Sequence, residues 1–171
     1  AQQLIDGLPF SNEMWDEWCE LASARPLPGV LDFTKRAVEL GVDVYYISNR
    51  GNHLLEVSIN NLKAAGLPLK DADHILLKTS SSDKDERRAR VSSSHTIALL
   101  IGDNLGDFSG IFDKRVDGSA LENVLANRER FGFEYIILPN PLYGSWEKPF
   151  RGEAAGEERL NKYKALKAYR N

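Results

Sequence analysis

The sequence predicts an α/β fold, a parallel sheet flanked by helices, on two observations. Short β-rich runs alternate along the chain with longer stretches of helical periodicity. The β-rich runs Val-Tyr-Tyr-Ile, Ile-Leu-Leu, Ile-Ala-Leu-Leu-Ile and Tyr-Ile-Ile-Leu are also near-continuously apolar, which suits central strands covered on both faces. With 171 residues and 42% hydrophobic content, the chain is long enough to bury the core of one globular domain.

The elements follow in order. Ser11 caps a helix with Glu13 and Asp16 in its first turn, and Trp15, Trp18, Cys19 and Ala22 form one apolar face. Pro28 suits the first position of a second helix, from which Val30, Phe33, Ala37, Val38 and Leu40 point inward until Gly41 ends it. Strands are expected over residues 42–48, 74–78, 96–102 and 134–139. Helices are expected over 53–65, closed by Gly66 and Pro68, and over 84–92, 119–130 and 156–169. No composition shift marks a second full domain; residues 1–27 read as a small helical cap segment and 28–171 as an α/β core.

Charge and cysteine content narrow the function. The formal net charge of −3 is too close to neutral for a surface that wraps a nucleic acid polymer or anionic lipid by bulk electrostatics. A single cysteine, Cys19, allows no intrachain disulfide and no Cys/His zinc cluster. Apolar stretches such as 97–101 fall far short of the ~20 residues of a membrane helix.

In an open parallel sheet, ligands bind at the carboxyl ends of the strands. The first strand ends in Ser48-Asn49-Arg50-Gly51, whose hydroxyl, amide and backbone N–H groups suit an anion, or equally a βα turn. The third ends in Gly102-Asp103-Asn104-Leu105-Gly106-Asp107-Phe108, two carboxylates four residues apart after a buried strand, a pattern suited to a hard cation such as Mg²⁺. Between them, Lys84 lies in Ser82-Asp83-Lys84-Asp85-Glu86-Arg87-Arg88. It could hold a phosphate oxygen, although a mixed charge run by itself reads as a solvated helix face. His53, His74 and His95 show no ligand spacing and read as surface or strand-end residues.

Taken together, Trp15-Asp16-Glu17-Trp18, Pro28-Gly29, Tyr46-Ile47-Ser48-Asn49-Arg50, Leu76-Leu77-Lys78, Lys84 with Arg87-Arg88, the 102–108 segment, Leu138-Pro139-Asn140, Tyr143-Gly144 and Trp146-Glu147 resemble the class C acid phosphatases. That family belongs to the haloacid dehalogenase (HAD) superfamily and includes bacterial outer-membrane lipoprotein 5′-nucleotidases. The resemblance implies a HAD-like Rossmannoid sheet and a Mg²⁺-dependent phosphomonoesterase acting on nucleoside monophosphates or small aryl and sugar phosphates. It implies Ser48 and Asn49 as phosphate donors with Arg50 in support, Lys84 as the phosphate-holding lysine, and Lys78 as a strand-end residue. Asp103 would ligate Mg²⁺ directly, Asp107 would ligate through water or orient the cluster, and Tyr143 would stack on the substrate's base or ring. Trp15 and Trp18 read as packing within the cap.

The family carries its nucleophile in an Asp-x-Asp-Glu-Thr motif on a central strand, and this motif does not occur in the 171 residues. Asp6 is no substitute, because Asp6-Gly7-Leu8 follows no buried β-run. The strand would lie in mid-sheet between those ending at Ser48 and Gly102, where its loss would leave buried N–H and C=O groups unpaired at about 1–3 kcal/mol each. The expectation is therefore a native chain that begins upstream of Ala1 and supplies the aspartate that becomes the aspartyl-phosphate. A chain complete as given would instead be a phospholigand-binding module without turnover. The resemblance alone also implies a bacterial periplasmic or outer-membrane location through an upstream lipid anchor, and it leaves homo-oligomerisation and the choice between water and an alcohol as phosphoryl acceptor open.

Overall fold

The computed structural model describes residues 11–112 and 119–140, which form five α-helices and four β-strands. The expected helix over 156–169, Asp6 and Tyr143 lie outside the described residues. The chain packs as two compact units, Ala1–Ser82 and Asp83–Asn171.

The first unit opens with α1 (Asn12–Glu20), where Ser11 Oγ accepts a hydrogen bond from the Met14 amide at 3.5 Å. Cys19 is its buried residue, and burial raises the thiol pKa. Trp15 and Trp18 lie 5.2 Å apart between ring centroids, but Trp18 is 43% exposed and does not pack inside a cap as expected. Helix α2 (Val30–Glu39) starts two residues after Pro28, because Gly29 adopts φ 85° and turns the chain before the helix begins. Its buried residue is Thr34, whose hydroxyl donates to the Val30 carbonyl at 2.8 Å. Phe33, Val38 and Leu40, expected to face inward, are exposed. At roughly 100° per residue, Phe33 and Leu40 fall well to the side of the line through Val30, Thr34 and Ala37.

Strand β1 (Tyr46–Gly51) pairs in parallel with β2 (Ile75–Lys78), in the register Tyr46↔Ile75, Ile47↔Leu76 and Gly51↔Lys78, with an irregularity between Ile47 and Gly51. A 3₁₀ turn (Asn52–Leu54) and α3 (Leu55–Ala64) make the crossover that a parallel pair requires. Ile75, Leu76 and Leu77 are all buried, so β2 carries the apolar weight of this unit. Immediately before it, His74 is a strand-end residue and is buried; its Nδ1 lies 2.6 Å from Asp71 Oδ1 and its ring stacks on Tyr45.

The second unit contains α4 (Asp85–Ser92), β3 (Leu100–Gly102), α5 (Ser119–Ala126) and β4 (Tyr135–Ile137). Strands β3 and β4 are parallel, with Leu100 opposite Tyr135 and Gly102 opposite Ile137. Its core is aromatic: Phe108, Phe112 and Tyr135 are buried, and Phe108 stacks on Tyr135 at 5.0 Å. That contact ties the segment after β3 to β4.

Two strand expectations need correction. Residues 96–99 lie outside the ladder, because β3 is paired only along the three residues that face β4. The first strand starts at Tyr46 rather than at residue 42 and runs on to Gly51, and among the described residues each strand has one ladder neighbour. Apolar content reports burial potential; the ladder ends where a partner strand ends.

Tyr46 gives this fold a measurable signature. Its hydroxyl donates to the Pro68 carbonyl at 2.7 Å, and burial pushes its pKa from 10.0 up to about 12. Because the folded pKa is raised, the stabilisation is fully present below pH 10.0 and is lost as pH rises through about 12. Tyr46→Phe is expected to cost about 1 kcal/mol at neutral pH. It should also flatten the alkaline fall in stability, as read from denaturant midpoints across that pH range.

Candidate active site

The expected site residues fall into two groups, one in each unit. In the first, Ser48, Asn49 and Arg50 occupy the irregular carboxyl end of β1 rather than a loop beyond it. Ser48 Oγ accepts from the Arg50 amide at 3.2 Å, and the Asn49 side-chain amide donates to the Ser82 carbonyl at 2.9 Å. Arg50 donates to Ser58 Oγ at 3.2 Å, and its guanidinium lies 5.5 Å from the Trp18 ring centroid. Arg50 is therefore braced from α3 and α1, a cation–π contact and a hydrogen bond holding the guanidinium on two sides. His53 pairs with Asp16 at 2.8 Å, which ties the turn after β1 to α1.

In the second unit, Lys84 is the N-cap residue of α4, and its Nζ meets Asp107 Oδ1 at 2.7 Å with side chains 17% and 13% exposed. The charge run around Lys84 is thus not a wholly solvated helix face. Asp107 Oδ2 accepts from the Asn104 amide at 3.0 Å, while Asn104 Oδ1 accepts from the Gly106 amide at 3.3 Å. These bonds close a capping box around the 3₁₀ turn Leu105–Asp107. Both oxygens of Asp107 are thereby engaged within the protein.

Asp103 differs. It is exposed, and its Oδ2 accepts from the Asn140 side-chain amide at 2.6 Å. Strand register explains the contact: the Leu138 amide donates to the Gly102 carbonyl at 2.8 Å, which brings the next residues of each strand to the same level. In the sequence Asn140 stands only as part of the Leu138-Pro139-Asn140 motif, and its place just after the fourth strand is the signal that could mark it. Lys78 is the last residue of β2, as expected.

The donor chemistry suits Mg²⁺ in a limited way. No group of three His, Cys, Asp or Glu residues able to hold a metal occurs among the described residues. Mg²⁺ needs no such cage, since it commonly takes one or two carboxylates and keeps waters or phosphate oxygens for the rest. Asp103 fits the ligating role, and Asp107, with both oxygens engaged, fits the orienting one. A cleft of about 410 Å³ in the second unit is lined by Arg88, Leu100, Phe108, Arg130 and Tyr135 among others, but by neither Asp103 nor Asp107.

Gly102 is the close-approach point. A Cβ there would lie 2.8 Å from Asp107 Cγ and nearer still to Asp107 Cβ and Oδ2. Gly102→Ala is therefore expected to displace the carboxylate from Lys84 and to destabilise the protein by about 1–3 kcal/mol, the usual cost of overpacking. Denaturant unfolding checks this, and an unchanged midpoint would mean that the loop yields without cost.

Comparison with known proteins gives a consistent picture. The family described as HAD superfamily, subfamily IIIB (acid phosphatase) matches residues 1–146. Among curated relatives, the stem 31 kDa glycoprotein of Glycine max is 28% identical over 141 residues, covering 78% of this chain and 48% of that protein. Vegetative storage protein 1 of Arabidopsis thaliana is 32% identical over 134 residues, covering 74% of this chain and 42% of that one. The chain thus spans about half or less of the length of these relatives. Among solved structures, the class C acid phosphatase of Bacillus anthracis superposes with a TM-score of 0.85 at 36% identity, covering 95% of this chain and 70% of that one. A second structure of that enzyme, with tungstate bound, matches equally. No helix among the described residues is long and apolar enough to cross a membrane. The chain has the HAD-like α/β fold and belongs to the acid phosphatase family of HAD subfamily IIIB.

Proposed function

We propose that this protein is a Mg²⁺-dependent acid phosphatase that hydrolyses small phosphomonoesters, nucleoside monophosphates and aryl phosphates among them. The observation that carries the reading is the Lys84–Asp107 pair next to exposed Asp103 at the carboxyl end of β3, in a chain of the acid phosphatase family. The tungstate bound to the Bacillus anthracis relative supports an oxyanion site in such a fold.

In the second unit, Asp107 holds the Lys84 ammonium in one direction. An ammonium has three donors, so Lys84 retains capacity for the oxygens of a phosphoryl group, whose charge it would neutralise as a point cation. Asp103 would hold Mg²⁺, with Asn140 orienting its carboxylate; when bound, the metal supplies charge neutralisation at a phosphate oxygen. In the first unit, the resemblance assigns hydrogen-bond donation to the phosphoryl oxygens to Ser48 and Asn49, and Arg50 supports that motif from its brace on Ser58. Positioning and electrostatics of this kind provide most of the rate in phosphoryl transfer. The attacking group is proposed to be the aspartate that the family carries in its Asp-x-Asp-Glu-Thr motif. A ring at Tyr143 would stack on the leaving group, and stacking of this kind, worth about 1–3 kcal/mol per base, tolerates any base. A single domain with a helical cap over 1–27, and a periplasmic or outer-membrane location, belong to the same proposal and rest on the resemblance alone.

Three substitutions test it in the full-length protein. Asp103→Asn keeps the shape and removes the ligand charge, so phosphatase activity at saturating Mg²⁺ should fall at least a hundredfold with the fold retained; unchanged turnover would remove Asp103 from the site. Lys84→Ala should lose much more activity than Lys78→Ala, and the reverse ranking would identify Lys78 as the phosphate-holding lysine. A full-length protein that binds phosphate yet never turns over would favour a binding module.

A further inference from the structure

Arg88 is an unexplained buried cation. Its side chain is 8% exposed, although its neighbour Arg90 on the same helix is exposed. Its Nη1 donates to two main-chain carbonyls of the acidic segment, Gly106 at 3.1 Å and Asp107 at 2.7 Å. Its Nη2 donates to the carboxylate of Asp85, one turn earlier on α4. That carboxylate in turn accepts from the Gly110 amide, 3.1 Å from each oxygen. Lys84, Asp85 and Arg88 thus all reach from the first turns of α4 to the segment 106–110: Lys84 to the Asp107 side chain, Arg88 to its main chain, and Asp85 to the residue where the next 3₁₀ turn (Gly110–Phe112) begins.

The chemistry of this clamp is specific to arginine. Carbonyls at the end of a short 3₁₀ turn lack partners within the turn, and a cation there satisfies them. A guanidinium offers five donors in a rigid planar fork, so one group can serve two carbonyls and a carboxylate together; an ammonium is a point donor on a flexible stem and cannot span all three in fixed geometry.

We propose that Arg88 is a positioning residue for the acidic loop, acting on the reaction through Asp107 while touching neither substrate nor metal; this rests on the reading of the Asp103–Asp107 loop as the active site. Without the clamp, the Asp107 main chain is released, and the carboxylate no longer presents Lys84 at one fixed place. Asp103, four residues earlier on the same segment, loses the far anchor of its loop.

The test compares Arg88→Gln, Arg88→Lys and Gly110→Ala with Arg90→Gln as the control, in the full-length protein with p-nitrophenyl phosphate as the probe. Gly110→Ala is included because a Cβ there meets the Asp85 carboxylate, loosening the clamp without altering a charge. Arg88→Gln should lower kcat by roughly tenfold to a hundredfold with KM changed less than threefold. Amide hydrogen exchange across 104–110 should accelerate at least tenfold, with exchange across β2 unchanged. Arg88→Lys should recover part of kcat and Arg90→Gln should match the wild type. If Arg88→Gln does not fold, Arg88→Lys and Gly110→Ala are expected to give smaller shifts in the same two readouts. A folded Arg88→Gln protein with unchanged kcat, or with unchanged exchange across 104–110, overturns the proposal provided Asp103→Asn is inactive. Full activity in Asp103→Asn is the separate signature that the underlying site reading has failed.

Discussion

Lys84 and Asp107 meet at 2.7 Å largely out of solvent, and the chemistry of the second unit is arranged around that contact. An ammonium removed from water needs a carboxylate beside it, and removing one partner of a fully buried pair costs about 3–5 kcal/mol. The pair is set from both sides. Lys84 is fixed by its position at the start of α4, and Asp107 by the capping box with Asn104. The next residue, Phe108, stacks on Tyr135, so the register of β3 and β4 is transmitted through an aromatic contact to the position of a carboxylate. Arg130 lies 4.2 Å from the Tyr135 ring centroid and adds a cation–π contact to the same core.

The two aspartates of this loop do different work because their hydrogen-bond partners differ. Asp107 gives one oxygen to Lys84 and the other to the Asn104 amide, which makes it a strut. Asp103 stands exposed and accepts from the Asn140 side-chain amide, which orients a carboxylate without neutralising its charge. A single aspartate-rich segment therefore supplies an anchored counter-ion for a lysine and, four residues earlier, an exposed carboxylate, the one to which the proposed function gives the hard cation.

Much of this was legible in the sequence. The α/β alternation, the Ser11 cap, the helix end at Gly41 and the acidic segment after the third strand are all local signals, and the structure reproduces each of them. Resemblance to the acid phosphatases assigns the phosphate to Lys84 and leaves Lys78 at a strand end, a choice that composition cannot make and that the substitutions above test. What stayed hidden depends on distance in sequence. The charge run 83–88 reads as solvated because nothing local reveals that Lys84 reaches 23 residues on to Asp107, or Arg88 to carbonyls 18 and 19 residues on. Asn140 beside Asp103 follows from strand register, and the inward line of α2 from tertiary packing that left Phe33 and Leu40 exposed. β3 is shorter than its apolar run because such a run carries no information about where its ladder partner stops.

A double-mutant cycle on Lys84→Met and Asp107→Asn, with kcat/KM for an aryl phosphate measured in the full-length protein, tests most directly whether this pair acts as one unit. If Asp107 works by holding Lys84, each single substitution lowers kcat/KM about a hundredfold and the double loses little more than the worse single, a coupling of roughly 2–3 kcal/mol. Losses that simply multiply, or singles that leave kcat/KM unchanged, would contradict the account.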